Sequence, residues 1–289
     1  MIPRSMRLPL PLLMVAACSS SSSTPTTPAL QTLITSDWSL QPGTEMYQCA
    51  RVTLDHDVYV THIEAIAPPG THHSIVSMDT APTKPDNAGY TCTDPFEFAP
   101  TMIYGNGIGT APFDYPDGVG LKLLAGTQLH INLHLFNTTD SVVTGTSGFK
   151  VNSVTAADVV DVSRVELLGP NSFTLPTGPS TQPFSCRAKS DISLFAVAPH
   201  MHKLGTHEKI MVTPAGQNAM TLYDADYSFD AQVQPLLAPA VLVHTGDTVS
   251  FVCSYNNTTG APVTFGSSSN NEMCIGGFWL YPADQPFCN

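Results

Sequence analysis

Residues 128–136 alternate without a break: Leu129, Ile131, Leu133 and Leu135 have one parity, His130, Asn132, His134 and Phe136 the other. Successive side chains of a strand point to opposite faces. The segment therefore reads as a strand with an apolar core face and a second face carrying two imidazoles. Comparable short segments, rich in β-branched and aromatic residues and bounded by Pro, Gly, Asn and Asp, occur along most of the chain. They fall at 51–54, 58–66, 74–78, 119–124, 163–168, 192–198, 208–213, 221–223, 248–255, 263–265 and 275–281. Runs with helical period are hard to find, and no short repeat is evident. The pattern predicts an all-β protein. The stretch 169–183, with four prolines and two glycines, reads as a domain junction or a long surface loop. It would divide the chain into 31–168 and 169–289, both ordinary domain sizes.

Composition agrees with many turns: 25 prolines and 20 glycines in 289 residues, with only 12% charged. The first residues read as a targeting segment rather than part of the fold. Arg4 and Arg7 precede an apolar run over 8–17, which is too short to span a bilayer, as in a signal peptide (1–17). Val15-Ala16-Ala17-Cys18 resembles a bacterial lipobox, with Cys18 as the lipidated first residue of the mature chain and 18–30 as a Ser/Thr/Pro tether. A plain cleaved secretory signal is the alternative. Either way the protein is expected to be exported; the lipobox adds a bacterial periplasmic or cell-surface location, with membrane attachment only through the lipid. A net charge of −12 argues against nucleic acid as a partner. Seven cysteines minus Cys18 leave Cys49, Cys92, Cys186, Cys253, Cys274 and Cys288. An even number in an exported chain predicts three disulfides, whose pairing stays open at this point.

Ten histidines are present, and several sit as metal ligands would. His200 and His202 are two apart, so a strand would present both imidazoles on one face and turn Met201 away. His72 and His73 are adjacent and follow Pro68-Pro69-Gly70-Thr71; for both to reach one ion, the backbone must turn or bulge. His130 or His134 would supply a third ligand. Met273, within Asn270-Asn271-Glu272-Met273-Cys274, is the third signal. Two imidazoles and a thioether form a soft, open set that suits copper; zinc more usually takes a carboxylate or thiolate in the third position. Hydrolase-type carboxylate pairs, a Ser/His/Asp arrangement and a phosphate-cradling glycine loop do not stand out. His207, five residues beyond His202 and past Leu204-Gly205, reads as a bystander or as a group that supports the ligands from behind; His56, His62 and His244 have no partner pattern.

In order, His-His, the lone histidine of Leu-His-Leu, His-x-His followed by Leu-Gly, and Glu-Met-Cys resemble the copper type II, ascorbate-dependent monooxygenases. The similarity runs from about Tyr47 to Cys288. The resemblance implies two antiparallel jelly-roll β-sandwich domains in tandem. It implies an electron-transfer copper on His72, His73 and His134 in the first, and a catalytic copper on His200, His202 and Met273 in the second. It selects His134 over His130, and the pairs Cys49–Cys92, Cys186–Cys288 and Cys253–Cys274. The activity implied is hydroxylation of a C–H bond of a small organic substrate with O2, using ascorbate or another one-electron donor. A copper-binding or delivery lipoprotein without turnover is the alternative. Ala198, Ile275 and Gly277 stand where peptide-amidating relatives carry substrate-anchoring polar residues, so peptide amidation is not expected and a less polar substrate is.

Overall fold

The computed structural model describes residues 29–95, 97–107 and 110–288. The expected signal peptide, the lipidation of Cys18 and the tether as far as residue 28 lie outside them. In the first half the strands are β1 (Gln31–Leu40), β2 (Glu45–Thr53), β3 (Val58–Ile66), β4 (Thr71–Asp79), β5 (Asn87–Thr91), β6 (Thr101–Asn106), β7 (Phe113–Asp114), β8 (Val119–Leu123), β9 (Gln128–Phe136) and β10 (Val143–Val154). After a helical turn at Ala156–Asp158 come β11 (Asp161–Leu168), β12 (Thr174–Leu175), β13 (Gly178–Arg187), β14 (Ile192–His200) and β15 (Gly205–Thr213). The chain continues through β16 (Met220–Asp226), β17 (Leu236–Val243), β18 (Thr248–Asn257), β19 (Val263–Thr264) and β20 (Ile275–Tyr281). The protein is all-β, as the alternation predicts.

A long sheet, in the order β1-β10-β3-β8-β11-β20-β14-β17 with β7 beside β3, runs the length of the molecule. Its first half faces the sheet β5-β2-β9-β4-β6 and its second half faces β13-β18-β15-β16. The pairing is antiparallel apart from β8 with β11. Strand β11 joins the halves: it pairs with β8 at Asp161–Ser163 and with β20 over Arg164–Leu168. Each half has its own apolar interior. Ile63, Val76, Ile131, Leu133 and Phe149 are fully buried in the first, and Leu194, Ile210, Val249, Phe251 and Phe278 in the second. Each such side chain contributes about 1.5–3 kcal/mol by leaving water. The interiors are stitched together at Phe113, whose ring lies 5.3 Å from Trp279 of β20 and 5.9 Å from Phe195 of β14.

Two expectations need correction. The proline-rich 169–183 is not all loop, because β13 begins at Gly178 and carries Pro179 and Pro183. It has β18 as its one neighbour, and an edge strand tolerates residues without an N–H. In β9 the apolar face is buried as predicted, but the polar face is covered too: Gln128, His130 and Asn132 are buried. The cover is the segment after β4. The Asn132 amide donates to the carbonyls of Pro95 and Glu97, and Gln128 donates to the Lys84 carbonyl and Asp86. His134, farther along, stays partly open.

Three disulfides join Cys49–Cys92, Cys186–Cys288 and Cys253–Cys274, the same pairs the resemblance implies. They suit an oxidising compartment.

Candidate metal centre

His73 of β4 lies opposite His134 of β9, and Thr71 lies opposite Leu135. His72 is thus the extra residue of a β-bulge, which lets neighbouring histidines turn to one side. The turn before it is held rigidly. Gly70 has φ +104, and a Cβ there would lie 2.7 Å from the Trp38 ring. Trp38 Nε1 donates to Ser147 Oγ at 2.8 Å, and Thr71 Oγ1 is 2.7 Å from the same oxygen.

The result is a three-imidazole cluster. Ligand nitrogens of His72, His73 and His134 all lie within 4.8 Å of one another. The Nδ1 atoms of His72 and His73 are 2.9 Å apart, and His134 Nδ1 is 3.4 Å from His73 Nδ1. The outer nitrogen of His134 donates to Glu45 Oε1 at 2.5 Å, which leaves its Nδ1 lone pair facing the cluster. Tyr47 stacks on the His134 ring at 4.4 Å, with 2° between the planes. Burial, and then the neighbouring imidazoles His134, His72 and His200, push the pKa of His73 down to about 3. Burial also lowers His134, against the opposing pull of Glu45. Converging, weakly basic nitrogens that cannot all hydrogen-bond one another fit a cation that takes imidazole, and copper is one such ion.

The second group sits at the end of β14. The rings of His200 and His202 are 5.4 Å apart and nearly perpendicular at 89°. His200 Nδ1 donates to Gln232 Oε1 at 2.9 Å, selecting the tautomer with the lone pair on Nε2. His202 Nδ1 is 3.1 Å from the Asn271 carbonyl oxygen. Burial lowers the basicity of both, His202 to about 4. Met201, between them, is buried in the second core. Met273 is tied in through the backbone. Glu272 Oε2 accepts the N–H of His202 at 2.9 Å and that of Met273 at 3.3 Å, and Tyr255 donates to the Met273 carbonyl at 2.6 Å.

Residues 180–288, the part of the chain that carries this second group, match the family described as copper type II ascorbate-dependent monooxygenase, C-terminal domain. Residues 180–288 belong to the copper type II ascorbate-dependent monooxygenase family. The chain is similar to human DBH-like monooxygenase protein 1, 28% identical over 210 residues that cover 65% of this chain and 34% of the relative. It is similar also to Caenorhabditis briggsae tyramine beta-hydroxylase, 23% identical over 260 residues covering 81% of this chain and 44% of the relative. The matched region thus spans between 34% and 44% of the length of these curated relatives. Among solved structures, infectious bursal disease virus VP2 subviral particle aligns over 89% of this chain and 73% of that one at 10% identity, with a TM-score of 0.25, too slight a likeness to carry weight.

The segment between β16 and β17 links the two histidine groups. Gln232 holds His200, while its own carbonyl accepts from Thr110 Oγ1 at 3.1 Å. Gln234 donates to the Gly105 carbonyl, and Asp230 Oδ1 lies 3.8 Å from His72 Nε2. Nothing in the sequence pattern marks Asp230 or Gln232, whose placement depends on how the halves pack. Glu272, Glu45 and Tyr47 were also missed as site residues, although Glu272 precedes Met273 and Tyr47 lies two residues before Cys49.

The remaining histidines are elsewhere. His130 is buried, with its Nε2 3.0 Å from Tyr90 Oη in a network with Glu97 and Arg51. His207 lies between Asp224 and Asp226, His62 beside Asp114, and His244 beside Asp191. Ala198 pairs with Gly277, and His200 with Ile275, so Ala198, Ile275 and Gly277 are neighbours on β14 and β20.

Proposed function

We propose that the protein is an exported copper monooxygenase that hydroxylates a C–H bond of a small organic molecule, with O2 and a one-electron donor such as ascorbate as co-substrates. The observation that carries this reading is the three-imidazole cluster of His72, His73 and His134, in a chain whose 180–288 portion belongs to the family. His72, His73 and His134 would hold one copper, for electron transfer; His200, His202 and Met273 would hold the other, where the substrate reacts. We place the division between the corresponding domains at 168/169, and the membrane attachment, if the lipobox operates, at Cys18.

Copper supplies one-electron redox chemistry and oxygen activation, while the chain's residues supply geometry. Glu45 orients His134, and Gln232 orients His200. Glu272 locks the His202 turn to the backbone of Met273. Carboxylate and amide partners of this kind fix ring orientation and raise ligand basicity. Ala198, Ile275 and Gly277 offer no charge to a substrate beside His200, which favours an apolar molecule over a peptide carboxylate.

Copper counted after loading and dialysis should be two per chain, and ascorbate-driven oxygen uptake should depend on substrate. Met273→Ile should abolish hydroxylation while copper stays on His72, His73 and His134. Two coppers with no oxygen uptake across a broad substrate screen would instead identify a copper carrier.

A further inference from the structure

Residues 227–235 connect β16 to β17 without strand or helix and pass beside both histidines at the end of β14. Gln232 Oε1 accepts from His200 Nδ1 at 2.9 Å, and Gln232 Nε2 donates to the Phe229 carbonyl at 3.2 Å. The second bond fixes which way the amide faces, so its oxygen stays toward His200. Phe229 sets its ring edge-on to His202, with the centroids 6.0 Å apart. One short segment thus orients His200 and confines His202.

A segment without ladder hydrogen bonds keeps its place through whatever contacts it makes. Its two ends are tied to the second half. Tyr227 donates its N–H to the Thr206 carbonyl and its hydroxyl to the Met201 carbonyl, and the Pro235 carbonyl accepts the N–H of Val197 at 3.2 Å. Between these ends the segment rests on the first half. The Gln232 carbonyl accepts from Thr110 Oγ1 at 3.1 Å, across 122 residues of chain, so no local sequence pattern announces the link. Gln234 donates to the Gly105 carbonyl of β6, and Asp230 stands 3.8 Å from His72. Thr110 is itself fixed: its Oγ1 accepts the N–H of Gly107 at 2.9 Å, and its own N–H donates to the Gly107 carbonyl at 3.2 Å.

We propose that the first half of the molecule sets the geometry of the second histidine group through this segment, with Thr110 as a positioning residue that acts on His200 through Gln232. The Thr110 hydroxyl fixes the Gln232 backbone, and the amide follows. The imidazole then keeps its Nδ1–H toward the amide and its Nε2 lone pair free for a ligand. This contact is geometric and exists without metal; its consequence for copper rests on the monooxygenase reading. Orienting partners of metal-bound imidazoles change affinity by about 10–100-fold, and here a part of that factor depends on a residue of the opposite half. The second group is fully aligned only when the first half is docked against it.

Nitrogen-15 NMR of the metal-free full chain at neutral pH reads the His200 tautomer directly. The parent should show a single tautomer, protonated at Nδ1. Thr110→Val keeps the shape and loses the hydroxyl, and should show a mixture; Thr110→Ser should restore the parent pattern. Competitive copper(I) titration, with X-ray absorption marking the sulfur-ligated copper, then separates the two groups. Thr110→Val should weaken copper at His200, His202 and Met273 by about three- to tenfold, the scale of one hydrogen bond. Copper at His72, His73 and His134 should be unchanged. Gln232→Leu should weaken the second group by about 10–100-fold, and adding Thr110→Val to it should cost nothing further, because the two residues act in series. A single tautomer in Thr110→Val, equal weakening of both groups, or additive losses in the double variant overturns the proposal. A parent that binds no copper at His200 and His202 sinks the monooxygenase reading instead, and the tautomer measurement still decides whether Thr110 positions His200.

Discussion

The Glu272 carboxylate accepts the backbone N–H of His202 at 2.9 Å. Its other oxygen accepts the N–H of Leu204 at 2.7 Å, and the side chain is fully buried. The sequence neighbour of one proposed ligand thus holds the backbone of another. Glu272→Gln keeps the shape but turns an NH2 toward amide donors. The fold should lose about 1–3 kcal/mol, and copper at His200 and His202 should bind about 10–100-fold more weakly. Copper at His72, His73 and His134 should be unchanged. Thermal unfolding and competitive copper titration read the two effects; equal weakening at both sites would show a global defect instead.

Glu45 plays the matching part in the first cluster, through His134 Nε2 at 2.5 Å. Glu45→Ala frees the ring to rotate on its Tyr47 stack. Copper affinity of this cluster should fall about 10–100-fold, with the His200 group unaffected. The fold should barely change, because Glu45 is exposed. Spectroscopic titration of the two coppers separately checks this.

What could be read from the chain alone follows from how local each signal is. Strand β9 was legible because its alternation spans nine residues without interruption, and His200 and His202 because period two is the strand's own geometry. The His72–His73 pair was legible as a problem: neighbours cannot share a face without a bulge, and the bulge is there. Strand β13 was hidden because its prolines look like loop residues unless its edge position is known. The cover over His130 and Asn132, and the approach of Asp230 and Gln232 to the histidines, come from packing between distant segments, which leaves no periodic trace.

Acid should destabilise the metal-free protein through its depressed histidines. His73 titrates at about 3 in the fold, because burial and the surrounding imidazoles disfavour its charge, and near 6.5 when unfolded. Between these values the unfolded chain holds more protons, so stability rises with pH and is lost as pH falls from about 6.5 toward 3. In metal-free His73→Gln this contribution disappears. Urea unfolding at pH 7 and pH 5 should show a smaller acid loss for the variant than for the parent, and identical losses would contradict the depressed basicity.

Glu208 should produce the opposite slope between about pH 4.5 and 9. It is fully buried on β15, and neither carboxyl oxygen makes a hydrogen bond of good geometry. Burial raises its pKa from 4.5 to about 9, with partial compensation from the backbone N–H of His200. Where pH exceeds 4.5 but not about 9, the folded state holds a proton that the unfolded state has released. Stability contributed by this group therefore falls as pH rises across that window, by about 1.4 kcal/mol per unit at most. Glu208→Gln removes the titrating proton while keeping the volume. The variant should match the parent near pH 5 and exceed it near pH 8, in urea midpoints measured on the metal-free chain. A parent that is equally stable relative to the variant at both values would mean that Glu208 is ionised and paired inside the fold.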